Sequence, residues 1–213
     1  SPLLAALLAN GPVRMDGVTY FLYGGTVRKC KSKRGAKKSR TEGEKKVTDR
    51  FTEARKMWRV YRRATAGLPV WRVWARETGS VKSDSAFHSV NGGCFRPGEG
   101  VWAFPTFRFS MGTLDAPVIT SAERNGWTVT LRWENDVDYT KTRLSDQVYL
   151  GYFYDTYSRS PQFMGNIDAR RADGEITVTI PAADQPDGTP LHLYLFFGNE
   201  KQDRFSPSEY IGV

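Results

Sequence analysis

The sequence is poor in the residues that build most reaction centres and covalent frameworks. It has only two cysteines, Cys30 and Cys94, and two histidines, His88 and His192. Two cysteines are too few for a disulfide framework, so we expect reduced thiols, although spacing leaves open whether they pair. The four residues lack zinc-site spacing, no serine lies in a nucleophile elbow, and no glycine loop has a phosphate-binding pattern. We therefore predict a protein that is not an enzyme and holds no metal or cofactor.

Long apolar runs are also missing. The opening stretch, residues 1–9, is short and has no cationic flank before it, unlike a secretory signal. No later run approaches the about 18 apolar residues that a membrane span needs. We therefore expect no membrane span and no small-molecule substrate. The expected location is the cytoplasm.

Charge, in contrast, is abundant and unevenly distributed. The formal net charge is +8, but residues 1–79 hold 19 lysines and arginines against 6 acids, a net of +13. The rest of the chain holds 12 basic against 17 acidic residues, a net of −5. Such a split predicts two segments with different partners. The basic segment suits nucleic acid, anionic lipid or an acidic protein surface.

A β-hairpin and a basic arm are predicted first. Val18–Tyr23 is rich in β-branched and aromatic residues, Gly24 and Gly25 supply a turn, and Thr26–Arg28 returns. Eight of the thirteen residues 28–40 are lysine or arginine, with no acid and no apolar anchor. Because such a run cannot bury itself, we expect an extended arm in the free protein.

Two helices are predicted next. Thr41 as N-cap and Glu44 three residues later form a capping box. Apolar residues at spacings of four and three predict a helix to about Ala66 with one buried stripe. The stripe consists of Val47, Phe51, Ala54, Trp58 and Tyr61. Pro69 opens a second helix that ends near Gly79, and we interpret the pair as a packed helical hairpin rather than a motif that reads DNA.

Residues 80–114 predict a connecting segment with a strand over Val101–Ser110, because aromatic residues recur there at short intervals. The aromatic face consists of Trp102, Phe104, Phe107 and Phe109. Three interpretations stay open. The face closes an interface between the two halves of the chain, makes contacts with another subunit, or stacks on nucleic-acid bases.

Residues 115–213 predict seven short strands separated by turn residues, the pattern of an antiparallel β-sandwich. The predicted strands are 118–121, 128–133, 148–154, 162–167, 176–180, 191–197 and 210–213. In the sixth strand the spacing does not decide which alternate set faces the core. One set is Leu191, Leu193 and Leu195, and the other is His192, Tyr194 and Phe196.

The same residues resemble a fibronectin type III module. Residues 127–133 are similar to that family's second strand with its core tryptophan, and residues 191–200 with 206–210 are similar to its last hairpin. Tyr194 takes the place of the family's core tyrosine if its set faces the core. The resemblance implies a scaffold or protein-binding module rather than chemistry.

The whole chain is also similar to an uncharacterised family of bacterial proteins, some of them linked to prophages or other mobile elements. The similarity rests on the Gly17–Tyr20 turn, Arg28, the helix with Arg50, Phe51 and Ala54, and the closing residues 208–213. The basic run is denser here than in that family. The resemblance implies no known activity.

The sequence therefore predicts an α+β protein in three parts. These are a basic part with a β-hairpin and a helical hairpin (1–79), a connecting segment (80–114), and an antiparallel sandwich of fibronectin type III or immunoglobulin type (115–213). We predict a non-catalytic structural or assembly protein, such as a phage-like virion component. It would dock an anionic neighbour through its basic part and other subunits, as a homo- or hetero-oligomer, through its sandwich. The alternative is weakly sequence-specific nucleic-acid binding through residues 28–63.

Two sets of residues carry these predictions. The predicted anion-binding or nucleic-acid-binding residues are Arg28, Lys29, Lys31, Lys33, Arg34, Lys37, Lys38, Arg40, Arg55, Arg59, Arg62 and Arg63. The predicted protein-interface residues are Trp102, Phe104, Phe107 and Phe109.

Overall fold

The structure is a computed structural model that describes residues 7–33, 39–80, 82–135 and 140–213. Contacts divide the chain into two compact units, residues 1–45 and residues 46–213. The first unit contains a three-stranded antiparallel sheet, and the second contains helices and further antiparallel sheets. The chain is therefore an α+β protein.

The first unit is built on the predicted hairpin. Its strands are β1 (Val13–Met15), β2 (Val18–Tyr23) and β3 (Thr26–Lys31), in the sheet order β1-β2-β3. Gly24 and Gly25 join β2 to β3 with φ of +59° and +73°. Residues with a Cβ rarely adopt such angles, so the glycine pair allows the tight turn.

The start of the predicted arm is a strand, so the prediction of an extended arm from residue 28 is wrong for its first residues. Lys29 pairs with Tyr20 and Lys31 pairs with Val18, while every side chain of β3 is exposed. Pairing with β2 satisfies the backbone hydrogen-bonding groups of β3 that face β2, and this requires no burial of the side chains.

Three helices follow, and the first begins as predicted. They are α1 (Glu42–Ala64), α2 (Val70–Glu77) and α3 (Ser83–Asn91). The Glu44 N–H donates to Thr41 Oγ1 at 3.2 Å, and the Thr41 N–H donates to Glu44 Oε2 at 3.0 Å. The capping box is therefore confirmed.

The apolar stripe of α1 is buried only in its second half. Val47 and Phe51 are 68% and 44% exposed, whereas Ala54 and Tyr61 are buried. Phe87 of α3 explains the difference, because its ring lies 5.5 Å from that of Tyr61 and covers only this end of α1. The prediction of a fully buried stripe is wrong for the first two turns.

Residues 80–114 differ most from the prediction. They contain α3, which was not predicted, and a short hairpin of β4 (Phe95–Arg96) and β5 (Gly100–Val101). The predicted strand over 101–110 is absent, and a 3₁₀ turn lies at Phe104–Thr106 instead. Pro105 has no N–H to donate to a sheet, so a strand cannot run regularly through this segment.

The seven predicted C-terminal strands are all present. They are β6 (Val118–Asn125), β7 (Thr128–Glu134), β8 (Gln147–Tyr154), β9 (Gln162–Met164), β10 (Glu175–Thr179), β11 (Leu191–Gly198) and β12 (Glu209–Gly212). They form two antiparallel sheets with the strand orders β10-β7-β6 and β12-β11-β8-β9. An Asn125-Gly126 turn joins β6 to β7, with Asn125 paired to Thr128.

Strand β11 is buried on both faces, so both alternate sets of its residues face a core. Leu193 belongs to a hydrophobic cluster that includes Leu131 of β7, on the other sheet. Tyr194 and Phe196 belong to a second cluster, which includes aromatic residues of α1, α2 and α3. The four-stranded sheet thus contributes residues to two hydrophobic layers.

Candidate functional site: exposed cations and a helical pocket

Three of the predicted anion-binding residues of the first unit lie on the edge strand β3. Lys29 and Lys31 project to one face of β3 and Arg28 projects to the other, because side chains alternate along a strand. Lys33 follows the strand and Arg40 precedes α1, and all five side chains are exposed. None of the five has an acidic partner within 4.0 Å among the described residues.

Four predicted arginines of α1 lie on one helical face, within an arc of about 100° at 100° per residue. They are Arg55, Arg59, Arg62 and Arg63, and all are exposed. The nearby acid Glu53 is engaged elsewhere, by Lys56 at 3.0 Å and Arg159 at 3.7 Å. The four guanidinium groups have no ion-pair partner in the part of the chain that the structure describes.

Two of these arginines lie over aromatic rings. The guanidinium carbon of Arg55 is 5.6 Å from the centre of the Phe51 ring, and that of Arg62 is 5.9 Å from the Trp58 ring. Such contacts orient the cations and leave their N–H groups available to an anion. Three other predicted residues, Arg34, Lys37 and Lys38, lie outside the described residues.

The predicted aromatic interface lies mostly in the core of the second unit. Phe104, Phe107 and Phe109 are buried, and the Phe109 carbonyl accepts a hydrogen bond from the Tyr61 hydroxyl at 2.7 Å. These three rings pack between the helices and the four-stranded sheet, so they are not exposed to another subunit. Only Trp102 is exposed, at 48%, with its ring 3.9 Å from the Arg96 guanidinium carbon.

His192 is held on three sides. Its Nδ1 lies 3.0 Å from the Tyr210 hydroxyl, its Nε2 lies 3.0 Å from Asp155 Oδ1, and its ring stacks on Phe104 at 3.7 Å. Burial raises the pKa of Tyr210, which makes that hydroxyl a poorer nucleophile at neutral pH. The group fixes neighbouring strands to one another, as expected of a packed histidine.

The other histidine lies at the surface of α3. His88 makes an edge contact with Phe51 of α1, at 4.6 Å between ring centres. Partial burial lowers the pKa of His88, so the ring is neutral at physiological pH. It has no described partner that would make it a general base.

A buried ion pair was not predicted. Arg171 is 1% exposed, its Nη2 donates to the Asp115 carbonyl at 2.7 Å, and its Nε lies 3.7 Å from Asp146 Oδ2. Burial lowers the pKa of Arg171 to about 10 and raises the pKa of Asp146. No sequence pattern distinguishes Arg171 from the adjacent, exposed Arg170, so only the fold could identify it.

Two cavities were also not predicted. One of about 720 Å³ lies along the edges of β9 and β10, and its lining includes Met164, Ile176 and Val178. The other, of about 510 Å³, lies where the end of α1, the start of α2 and the start of α3 meet. Both cavities depend on contacts between segments that are distant in sequence. The second, which we call the helical pocket, combines aromatic walls with cations.

Further findings concern metals, membranes and relatives. No group of three or more histidine, cysteine, aspartate and glutamate side chains in the described ranges could hold a metal ion. None of the described helices is both long enough and apolar enough to cross a membrane. No protein-family model matches the chain, and no curated protein matches it.

Proposed function

We propose that the chain is a non-catalytic assembly protein that docks an anionic neighbouring molecule through its exposed lysines and arginines. The observation that carries the proposal is the uncompensated face of α1. Arg59 lies four residues from both Arg55 and Arg63, and like charges at this spacing destabilise a helix by about 0.2–0.5 kcal/mol per pair. A face that costs helix stability and has no internal acid is suited to an external anion.

The edge strand β3 provides a second cationic element of a different character. Its cations are accompanied by exposed apolar residues of the same hairpin, Leu22, Tyr23 and Val27. Protein interfaces bury such residues, whereas most contacts to nucleic acid are made with phosphate and sugar. This mixture favours an acidic protein surface over nucleic acid as the partner of the hairpin.

The C-terminal strands support a protein-binding module of fibronectin type III type, which we propose for residues 115–213. The first, second and fifth strands of the module share one sheet, and the other four share the second sheet. Three strands against four, with all neighbours antiparallel, is the arrangement that the resemblance to that family implies. Such modules act as scaffolds, which agrees with a role in assembly.

The setting of the proposal comes from the second resemblance. Similarity to prophage-associated bacterial proteins favours a virion or a related particle as the place where the chain assembles. In such a particle the acidic neighbour would be another protein subunit. The proposal does not require any reaction at the docking surface.

Removal of positive charge from α1 tests the docking surface. The triple variant R55Q/R59Q/R63Q removes three cations from one face of α1, and K141Q/K201Q/R204Q removes three exposed cations elsewhere in the second unit. Binding to fluorescent polyglutamate and to duplex DNA is measured by anisotropy at several salt concentrations. We expect the α1 variant to bind polyglutamate about tenfold more weakly, from about 0.5 kcal/mol per exposed contact, and the control to be unchanged.

The same titrations separate the two partners. A steep salt dependence with DNA, together with weak binding of polyglutamate, would replace the assembly role with nucleic-acid binding. Equal losses in both variants would mean that net charge alone matters, and the docking face of α1 would then be rejected.

A further inference from the structure

The helical pocket has the size and walls of a small-molecule site. Its volume of about 510 Å³ lies within the about 300–1,000 Å³ that is typical of such sites. Trp58, Tyr61 and Trp71 line it, and the rings of Trp58 and Tyr61 stack with 6.0 Å between their centres. Aromatic walls of this kind accept a planar ring.

Cations surround the opening of the pocket. Arg62, Arg72 and Lys82 line it, all are exposed, and no ion pair joins them to a described acid. Asp84 is the only acid among the lining residues, and its Oδ1 accepts a hydrogen bond from the Ser85 N–H at 2.9 Å. The lining therefore carries a net charge of +2, which favours an anionic ligand.

The start of α3 adds backbone donors to the same wall. No side chain caps this nine-residue helix, and the Ala86 N–H donates to the Lys82 carbonyl at 3.1 Å. The N–H groups of Ser83 and Asp84, both lining residues, have no partner among the described residues. Free N–H groups at a helix start attract anions through hydrogen bonds and the helix dipole.

The polar groups of the two buried lining residues, Tyr61 and Trp71, are engaged within the protein. Trp71 is 1% exposed, and its indole N–H interacts with the Tyr61 hydroxyl. The neighbouring Tyr61 hydroxyl donates its own proton to the Phe109 carbonyl at 2.7 Å.

We propose that the helical pocket binds a small molecule that combines a phosphate or carboxylate group with a planar ring. The anionic group meets Arg62, Arg72, Lys82 and the free N–H groups of α3. The ring lies against Trp58, the half-buried aromatic residue of the lining. The proposal does not depend on the docking role of α1, because two of its three cations lie outside that helix.

Isothermal titration with the full-length chain tests the pocket with four probes. Adenosine 5′-monophosphate carries a ring and a phosphate, and benzoate carries a ring and a carboxylate. Adenosine offers only the ring, and inorganic phosphate offers only the anion. We expect one of the two anionic rings to bind at least tenfold more tightly than both single-feature probes.

Exposed residues supply the variants, so failure to fold does not obscure the result. We expect R72Q and K82Q each to weaken binding of the preferred probe about tenfold, the effect of losing one charge-assisted hydrogen bond. R76Q is the matched control, because Arg76 is an exposed arginine of α2 that does not line the pocket.

Three results would overturn the proposal. These are no measurable binding of either anionic ring, equal binding of adenosine or inorganic phosphate, and an R76Q effect as large as that of R72Q. The variant R55Q/R59Q/R63Q retains every lining residue and should bind the preferred probe normally. A loss of polyglutamate binding without loss of the probe would therefore separate the two proposals.

Discussion

The guanidinium carbon of Arg171 lies 3.8 Å from the centre of the Phe197 ring, so a charged side chain sits against the apolar core between the two C-terminal sheets. The backbone carbonyl of Arg171 accepts a hydrogen bond from the Trp133 indole N–H at 2.9 Å. One residue thus connects the segment before β10 to β7 and β11. Asp146 supplies the compensating charge.

Replacing Arg171 should be strongly destabilising. Arg171→Met leaves the Asp146 carboxyl buried without its cation, and breaking a buried pair in this way costs about 3–5 kcal/mol. Urea unfolding followed by tryptophan fluorescence measures the change. Arg170→Met is the neighbouring control, which we expect to change the free energy of unfolding by less than about 0.5 kcal/mol because Arg170 is exposed. Equal effects of the two variants would show that the buried ion pair contributes no more to the free energy of unfolding than an exposed arginine does.

The raised pKa of Asp146 predicts a pH dependence of stability. A carboxyl whose folded pKa exceeds its unfolded value binds its proton more readily in the folded state. Its contribution to the free energy of unfolding therefore increases as the pH falls through the raised folded pKa, and is fully present below the unfolded value of about 3.9. Urea unfolding of wild type and Asp146→Asn is measured across this pH range. The difference between the two free energies of unfolding gives the contribution of the Asp146 carboxyl. The stability of wild type relative to the variant should rise on acidification, and a fall would contradict the assigned shift.

The two thiols should differ in reactivity. Cys30 is exposed, whereas Cys94 is buried and burial raises the pKa of its thiol. Because the thiolate is the reacting form, a maleimide at pH 8 should modify Cys30 rapidly and Cys94 only when the second unit opens. Mass spectrometry of C30S and C94S follows each thiol separately. Fast labelling of C30S in the absence of denaturant would be incompatible with a buried Cys94.

The two halves of α1 should tolerate truncation differently. Met57 is buried against the aromatic cluster, and Met57→Ala should lower the free energy of unfolding by about 2–5 kcal/mol. Val47 lies on the same helix but is exposed, so Val47→Ala should change the free energy of unfolding by less than about 0.5 kcal/mol. Thermal unfolding of both variants gives the comparison. A comparable loss in the two would mean that residue 47 is covered in solution.

Local chemistry made the strands and turns predictable. The alternation along the C-terminal strands, the glycine pair at 24–25 and the Thr41–Glu44 box each act within a few residues, so the sequence contains their whole cause. Periodicity identified the buried face of α1 but not how much of its length α3 covers. Phe51 was therefore assigned to the core although α3 covers it only from the side of His88.

The features that sequence could not predict either have a weak local signal or depend on segments that meet only after folding. Helix α3 has few apolar residues, with Ala86 and Phe87 as its buried ones, and so gives a weak periodic signal. The helical pocket exists only because Arg72 and Lys82 converge after folding. The exposed cations of β3 and α1, in contrast, were identifiable from sequence, since such dense charge rarely enters a core.

The double burial of β11 constrains how this protein can be divided or altered. Cutting the chain just before residue 115 would retain all seven strands of the C-terminal module but would leave Tyr194 and Phe196 facing water. A sheet with an uncovered aromatic surface tends to associate with other molecules. The helices and the aromatic segment before residue 115 therefore cover this face of the sheet, and the seven strands could not be separated from them without exposing it.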